Sequence, residues 1–128
     1  MIFDSSALVA LLRDEPDAPA LREALADHPR RRLAAPTLLE TSMVIGQERH
    51  ADLDALVERT RTEIVSFDAT QARVARSAFL RYGRSSGSPA RLNFGDCISY
   101  ALATVAGEPL LFKGDDFTHT DVTSALPG

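Results

Sequence analysis

Met1-Ile-Phe-Asp-Ser-Ser-Ala-Leu-Val-Ala-Leu-Leu12 opens the chain. A short apolar run stops at one carboxylate, Asp4, and two hydroxyls, Ser5 and Ser6, follow. Apolar residues then recur at helical spacing, at Leu8, Leu11 and Leu12. The pattern is that of a buried strand turning directly into a helix, with an acid at the turn. In an open α/β sheet, ligands sit beyond the carboxyl ends of the strands. Asp4 would then point at the active edge. The plainer explanation is that Asp4 only caps the helix after it.

Further along, strands and helices alternate. Pro16 to His28 reads as a second helix, with Leu21 and Leu25 as an i, i+4 apolar pair and Pro29 as its stop. Arg32 to Ala35 is a short strand. Pro36 to about Glu48 is a helix with proline near its start, where proline is tolerated. Ala51 to Arg61 is another, with Leu53, Leu56 and Val57 on one side. Ile64 to Phe67 is a brief β-branched strand, followed by a helix from Asp68 to about Tyr82. Asp68 and Gln71 resemble a capping box, and Ala72, Ala75, Phe79 and Leu80 would form that helix's apolar stripe. After a Gly/Ser/Pro loop, Asn93 or Gly95 opens a helix that turns Ile98, Ala101, Leu102 and Val105 inward and ends at Gly107. Pro109 to Phe112 is a buried strand, Lys113 to Asp116 a turn, and a last short strand is expected near Val122. Alternation of this kind predicts an α/β fold, a parallel sheet with helices on both faces, as one domain over residues 1–128.

Composition narrows the classes. With 45% hydrophobic and 25% charged residues the chain is ordinary for a globular protein. The single cysteine, Cys97, excludes an internal disulfide and fits a reducing compartment; a buried apolar role suits it better than an activated thiol. No run approaches the roughly 20 apolar residues of a membrane helix, and no basic segment precedes the first apolar run, so no signal peptide is expected. A cytoplasmic location follows as the default. The net charge of −4 offers no overall attraction to nucleic acid, yet its distribution is uneven. Between Asp68 and Asp96 there is no acid, while Arg73, Arg76, Arg81, Arg84 and Arg91 fall there; Arg30, Arg31 and Arg32 form a second cluster. Arginine suits bidentate phosphate contact, although solvated helix faces would explain each one singly.

Four acidic positions draw attention together. Glu40 shares a helical face with Pro36, Met43 and Val44, where a carboxylate is costly unless satisfied; Thr37-Leu-Leu-Glu40 also spells a capping box. Asp96 lies in the first turn of its helix, where the helix dipole favours an acid. Asp115 and Asp116 follow a strand and Gly114 and could be turn residues. Asp4 and Asp115/Asp116 follow strands, while Glu40 and Asp96 open helices, and in a parallel α/β layer these all lie on one edge. Two carboxylates 4 Å apart repel by about 4 kcal/mol at an effective dielectric of 20, so such a cluster needs a cation or protons. Oxygen ligands without His or Cys select Mg²⁺ or Mn²⁺; His28, His50 and His119 are scattered and disfavour zinc. A divalent metal that activates water and neutralises phosphate charge, beside an arginine-rich segment, describes a metal-dependent nuclease.

The residues also match a known family. Met1-Ile-Phe-Asp-Ser-Ser-Ala7, Leu38-Leu-Glu-Thr-Ser42, Leu92-Asn-Phe-Gly-Asp-Cys-Ile-Ser-Tyr-Ala-Leu-Ala103 and Leu110-Leu-Phe-Lys-Gly-Asp-Asp-Phe-Thr-His-Thr-Asp121 together resemble a PIN-domain protein, specifically a VapC toxin of a bacterial type II toxin–antitoxin pair. The resemblance runs through essentially the whole chain, with the motifs in order. It implies a five-stranded parallel sheet flanked by helices, Mg²⁺- or Mn²⁺-dependent endoribonuclease activity, commonly on tRNA or rRNA, a homodimer, and a VapB-type antitoxin whose tail blocks the acidic groove. By motif position Asp4, Glu40 and Asp96 match the family's first three acids. In many members a further acid stands two places before the Asp-Phe pair, where this chain has Gly114; Asp116, which precedes Phe117, is the choice for the fourth, with Asp115 as its alternative. Asp4, Asp96 and Asp116 would hold metal, Glu40 would orient or deprotonate water, and Ser5 or Ser6 would support Asp4. The arginines from Arg73 to Arg91 are candidates for contact with RNA, antitoxin or a second protomer.

Two competitors differ in kind. A haloacid-dehalogenase-like phosphatase needs a second Asp two residues after the first, where Ser6 stands. A catalytically inactive PIN-like module, binding RNA or protein, would keep the fold without the metal, but here all four acidic positions are filled.

Overall fold

The computed structural model describes residues 1–127. Ile2–Phe3 form strand β1 and Ser5–Leu12 form helix α1, with Asp4 as the cap between them. Helix α2 (Ala18–Asp27), strand β2 (Arg32–Ala34), helix α3 (Ala35–Ile45), helix α4 (His50–Arg59), strand β3 (Glu63–Val65), helix α5 (Ala69–Tyr82), helix α6 (Phe94–Ala106) and strand β4 (Leu110–Leu111) follow in order. All strand pairings are parallel, and the sheet order is β3-β2-β1-β4.

Strand alternation divides the core in two, because successive side chains leave a strand on opposite faces. Ile2, Ala34 and Leu110 face a layer built from α5 and α6, with Tyr82, Leu92, Ile98 and Leu102. Met1, Phe3, Leu33 and Leu111 face the other way, onto Leu8, Leu21, Leu25 and Leu56 of α1, α2 and α4. Helices therefore cover both faces, as a parallel sheet requires.

The sheet has four strands among the described residues, not the five expected. The segment near Val122 reaches β4 but makes one bridge, Leu110 to Ser124, with two hydrogen bonds: Leu110 N to the Thr123 carbonyl and Ala125 N to the Leu110 carbonyl, each 2.8 Å. Thr123 and Ser124 are exposed, and Pro127, which has no N–H to donate, follows at once. Too little apolar surface and too few donors remain to extend the ladder.

Two helices turn faces other than those expected. On α5 the buried side is Gln71, Ala78 and Tyr82, while Phe79 and Leu80 are exposed. The Gln71 side-chain N–H reaches back to the Ser66 carbonyl at 2.9 Å, while its amide oxygen is buried without a partner, so burying this polar residue is only half compensated. On α3 the buried side is Thr37, Thr41 and Ile45; Met43 and Val44, taken as core neighbours of Glu40, are exposed. Val105 of α6 is exposed as well, two residues beyond the buried run that ends at Ala103.

The Arg30–Arg32 cluster lies at the end of the sheet opposite Asp4. Arg31 donates to the carbonyls of Leu25 and His28 at the end of α2 and to that of Thr60 at the end of α4. Arg32 and the Met1 amino group hold Glu108. These cations support helix ends and a strand edge.

Candidate active site

β1 delivers Asp4 to the carboxyl edge of the sheet, and the residue is almost fully buried (3% exposed). Its Oδ2 accepts the Ser6 backbone N–H at 3.0 Å and the Ser6 hydroxyl at 2.6 Å; its Oδ1 accepts the Ser99 hydroxyl at 2.6 Å. Capping is therefore real, and it fixes the carboxylate at the edge as well. Ser6 Oγ in turn accepts the Lys113 N–H at 3.0 Å, which ties the end of β4 to the start of α1.

Asp96 reaches the same edge from the first turn of α6. Asn93 caps this helix: its side chain accepts the Asp96 N–H at 2.9 Å, and Asp96 Oδ2 accepts the Asn93 N–H at 3.1 Å. This reciprocal box pins Asp96. Burial, opposed by the Asn93 hydrogen bond and reinforced by the charges of Asp4 and Asp116, pushes its carboxyl up to about 7. Asp116 is thereby placed beside Asp96, although it sits on an exposed turn.

Glu40 projects from α3. The capping box spelled by Thr37 and Glu40 is not made: α3 starts at Ala35, with Pro36 in its first turn. Glu40 instead lies against Gly95, where any Cβ would collide with its carboxylate. Glu40 Oε1 is buried without a hydrogen-bond partner. Burial raises the Glu40 pKa; the Ser5 hydroxyl opposes that shift, and the charge of Asp4 adds to it.

Asp4, Glu40, Asp96 and Asp116 thus converge on one edge. Asp115 does not join them: it is exposed, and its recorded bonds run from its backbone carbonyl to Thr118. Gly114 has a φ of +96°, a conformation that favours glycine over the acid common in the resembling family. The convergence stops short of the closed cage expected. Among the described residues no three His, Cys, Asp or Glu side chains stand close enough to hold one metal ion as placed. Asp4 is turned toward its hydroxyls and Asp116 stands out on its turn. The donors still suit a hard divalent cation, being oxygen alone, with one buried carboxylate oxygen unpartnered and one carboxyl raised by burial and by its acidic neighbours.

Ser99 is the site residue that sequence reasoning missed. Its signal was present, because it lies three residues after Asp96 on the same helical face. Cys97, by contrast, behaves as expected: it is buried, and burial with the charge of Asp96 pushes its thiol up to about 11.

The arginines divide. Arg76 lines an apolar groove of about 440 Å³ beside the site, with Pro36, Phe79, Phe94 and Cys97. Arg73 and Arg81 lie toward Tyr100, and Arg81 stands 3.6 Å from Asp121 and 4.7 Å over the Tyr82 ring. Arg84 is exposed and Arg91 adopts a φ of +53° in the loop before α6.

The PIN domain family model matches residues 1–122. Ribonuclease VapC42 of Mycobacterium tuberculosis is 48% identical over 129 residues, which is 98% of each chain. Ribonuclease VapC28 of the same organism is 49% identical over 130 residues, again 98% of each. A ribonuclease VapC of Mycolicibacterium smegmatis is 48% identical over 128 residues, 97% of this chain and 98% of its own. Among solved structures, Mycobacterium tuberculosis VapC20, described as a sarcin–ricin loop cleaving toxin, superposes with a TM-score of 0.79 at 18% identity, covering 99% of this chain and 100% of that one. A chain of a toxin–antitoxin complex from Klebsiella pneumoniae gives 0.71 at 19% identity, over 94% and 92%.

Proposed function

Because the chain belongs to the PIN-domain family, among its VapC ribonucleases, we propose that its acidic edge is a divalent-metal-dependent endoribonuclease site. It is a ribonuclease toxin of the toxin–antitoxin class. The observation that carries the metal-dependent reading is the convergence of four acids from separate elements, with a buried Glu40 oxygen left unpartnered.

Asp4 and Asp96 would hold Mg²⁺ or Mn²⁺, with Asp116 joining from its exposed turn. Bound there, such a cation lowers the pKa of water and offsets charge developing on phosphate. Glu40 accepts the proton of the attacking water; burial makes this carboxyl a stronger base than an exposed one. Water oxygen bonds to phosphorus as the bond to the ribose oxygen breaks, and that oxygen leaves as an alkoxide and takes a proton from solvent. Ser6 and Ser99 hold Asp4, while the Asn93 box holds Asp96. The RNA is tRNA or rRNA, approached past Arg76.

The partner is a VapB-type antitoxin. Its tail would occupy the apolar groove at Phe79 and Phe94, whose position beside Asp96 lets one occupant cover the acids. Homodimerisation would use the exposed Leu39, Met43 and Val44 of α3.

Purified protein incubated with total RNA and Mn²⁺ or Mg²⁺ should cleave it. Chelator, Asp4→Ala and Asp96→Asn should each abolish cleavage. Cleavage that persists in chelator, or is undiminished in both variants, overturns the mechanism.

A further inference from the structure

We propose that Ser99 is a positioning residue that orients the Asp4 carboxylate and so decides which lone pair Asp4 offers a cation. The inference deepens the proposed function and rests on Asp4 being a cation ligand.

Each carboxylate oxygen has two in-plane acceptor positions. Both positions on Asp4 Oδ2 are taken, by the Ser6 N–H and the Ser6 hydroxyl. A carboxylate can only accept, so the single Ser6 hydroxyl proton goes to Asp4, while the Ser6 oxygen accepts the Lys113 N–H. On Oδ1 the wholly buried Ser99 takes one position at 2.6 Å. A single in-plane lone pair is left on Asp4, so its contact with a cation is monodentate and of fixed direction.

Ser6 lies two residues from Asp4 and moves with the same turn of chain. Ser99 lies 95 residues away, on the helix that carries Asp96. Removing Ser99 would free the carboxylate to swing about Oδ2, which Ser6 continues to hold. With Ser99 in place, α6 carries one proposed ligand directly and steers the other through a hydrogen bond. The geometry between the two is then set by one rigid element, the arrangement that best preserves a metal site.

The test is equilibrium Mn²⁺ binding by the full chain, read from the electron paramagnetic resonance signal of free Mn²⁺. Ser99→Ala should raise the Mn²⁺ Kd by about 10–100-fold, with KM for RNA unchanged and cleavage recovering as Mn²⁺ approaches saturation. Ser99→Cys keeps the side-chain length but supplies a weak donor. It should give an intermediate Kd, and it carries the test if the alanine variant does not fold. Thr60→Ala removes another buried hydroxyl, one that donates to the Leu56 carbonyl at 2.7 Å at the end of α4, and should leave the Kd unchanged. Two results overturn the inference: Ser99 variants that bind Mn²⁺ as the unsubstituted chain does, or Thr60→Ala weakening binding as much as Ser99→Ala. An unsubstituted chain that binds no Mn²⁺ overturns the metal reading itself, and the inference falls with it.

Discussion

Asp96 carries a charge where charge is least welcome, and its proton equilibrium records that. The folded carboxyl sits at about 7 against an ordinary 3.8. Between those values the folded state holds a proton that the unfolded state has released, so this residue's contribution to stability falls as pH rises from about 4 to about 7. Above that window the buried charge is borne in full. Asp96→Asn has no charge to bear. With chelator present its Tm should exceed that of the unsubstituted chain by roughly 5 °C at pH 8, and the gap should close toward pH 4. A constant gap across that range would remove the buried-charge account. Gly95 poses the complementary case. Glu40 occupies the space a Cβ would need, but the obstruction is the end of a flexible side chain. Gly95→Ala should therefore leave the Tm within a few degrees while displacing the proposed base, and cleavage should fall about 10²-fold. A large loss of Tm with normal activity per folded molecule would show that Gly95 serves packing alone.

Helix starts show where sequence signals were legible and where they competed. Asp68 accepts the Gln71 N–H at 2.8 Å as its spelling predicted, but Gln71 turns its amide to Ser66, so half of that capping box forms. Asn93 and Asp96 form a full box. Thr37 and Glu40 spell the same motif and form none, because Pro36 sets the helix start earlier and leaves Glu40 free to reach Gly95. Local chemistry could not rank these three, since tertiary packing decides which polar group has a better partner. Arg31 was unreadable for the same reason: its three carbonyl acceptors come from two helices. Arg31→Ala should lower unfolding stability by about 2–3 kcal/mol, measured by denaturant titration, with cleavage per folded molecule unchanged. A selective loss of RNA cleavage without destabilisation would return Arg31 to the nucleic-acid surface.

The sheet edge and the two-sided core were legible because strand periodicity is strict: Ile2 goes one way and Phe3 the other. The exposed groove was not. Phe79 was taken for core because it is apolar and at helical spacing, yet it lines an open surface beside Asp96. That groove bears on how an acidic chain of net charge −4 meets RNA. Six of the fourteen basic side chains are engaged elsewhere: Arg22 with Asp14, Arg30 and Arg32 with Glu108, Arg49 with Asp52, Arg81 with Asp121 and Lys113 with Glu15. Arg76 is different. It lies in the groove next to Phe94 and Cys97, and among the described residues it forms no ion pair. A phosphate contact at Arg76 releases counterions, so KM for RNA should rise with salt. Arg76→Ala should raise KM at low salt and reduce the slope of log KM against log salt by about 0.7–0.9, one phosphate's share. Arg81→Ala, whose guanidinium already faces Asp121, should leave that slope unchanged. Equal slopes for Arg76→Ala and the unsubstituted chain would remove Arg76 from the RNA path and leave its groove to the antitoxin alone.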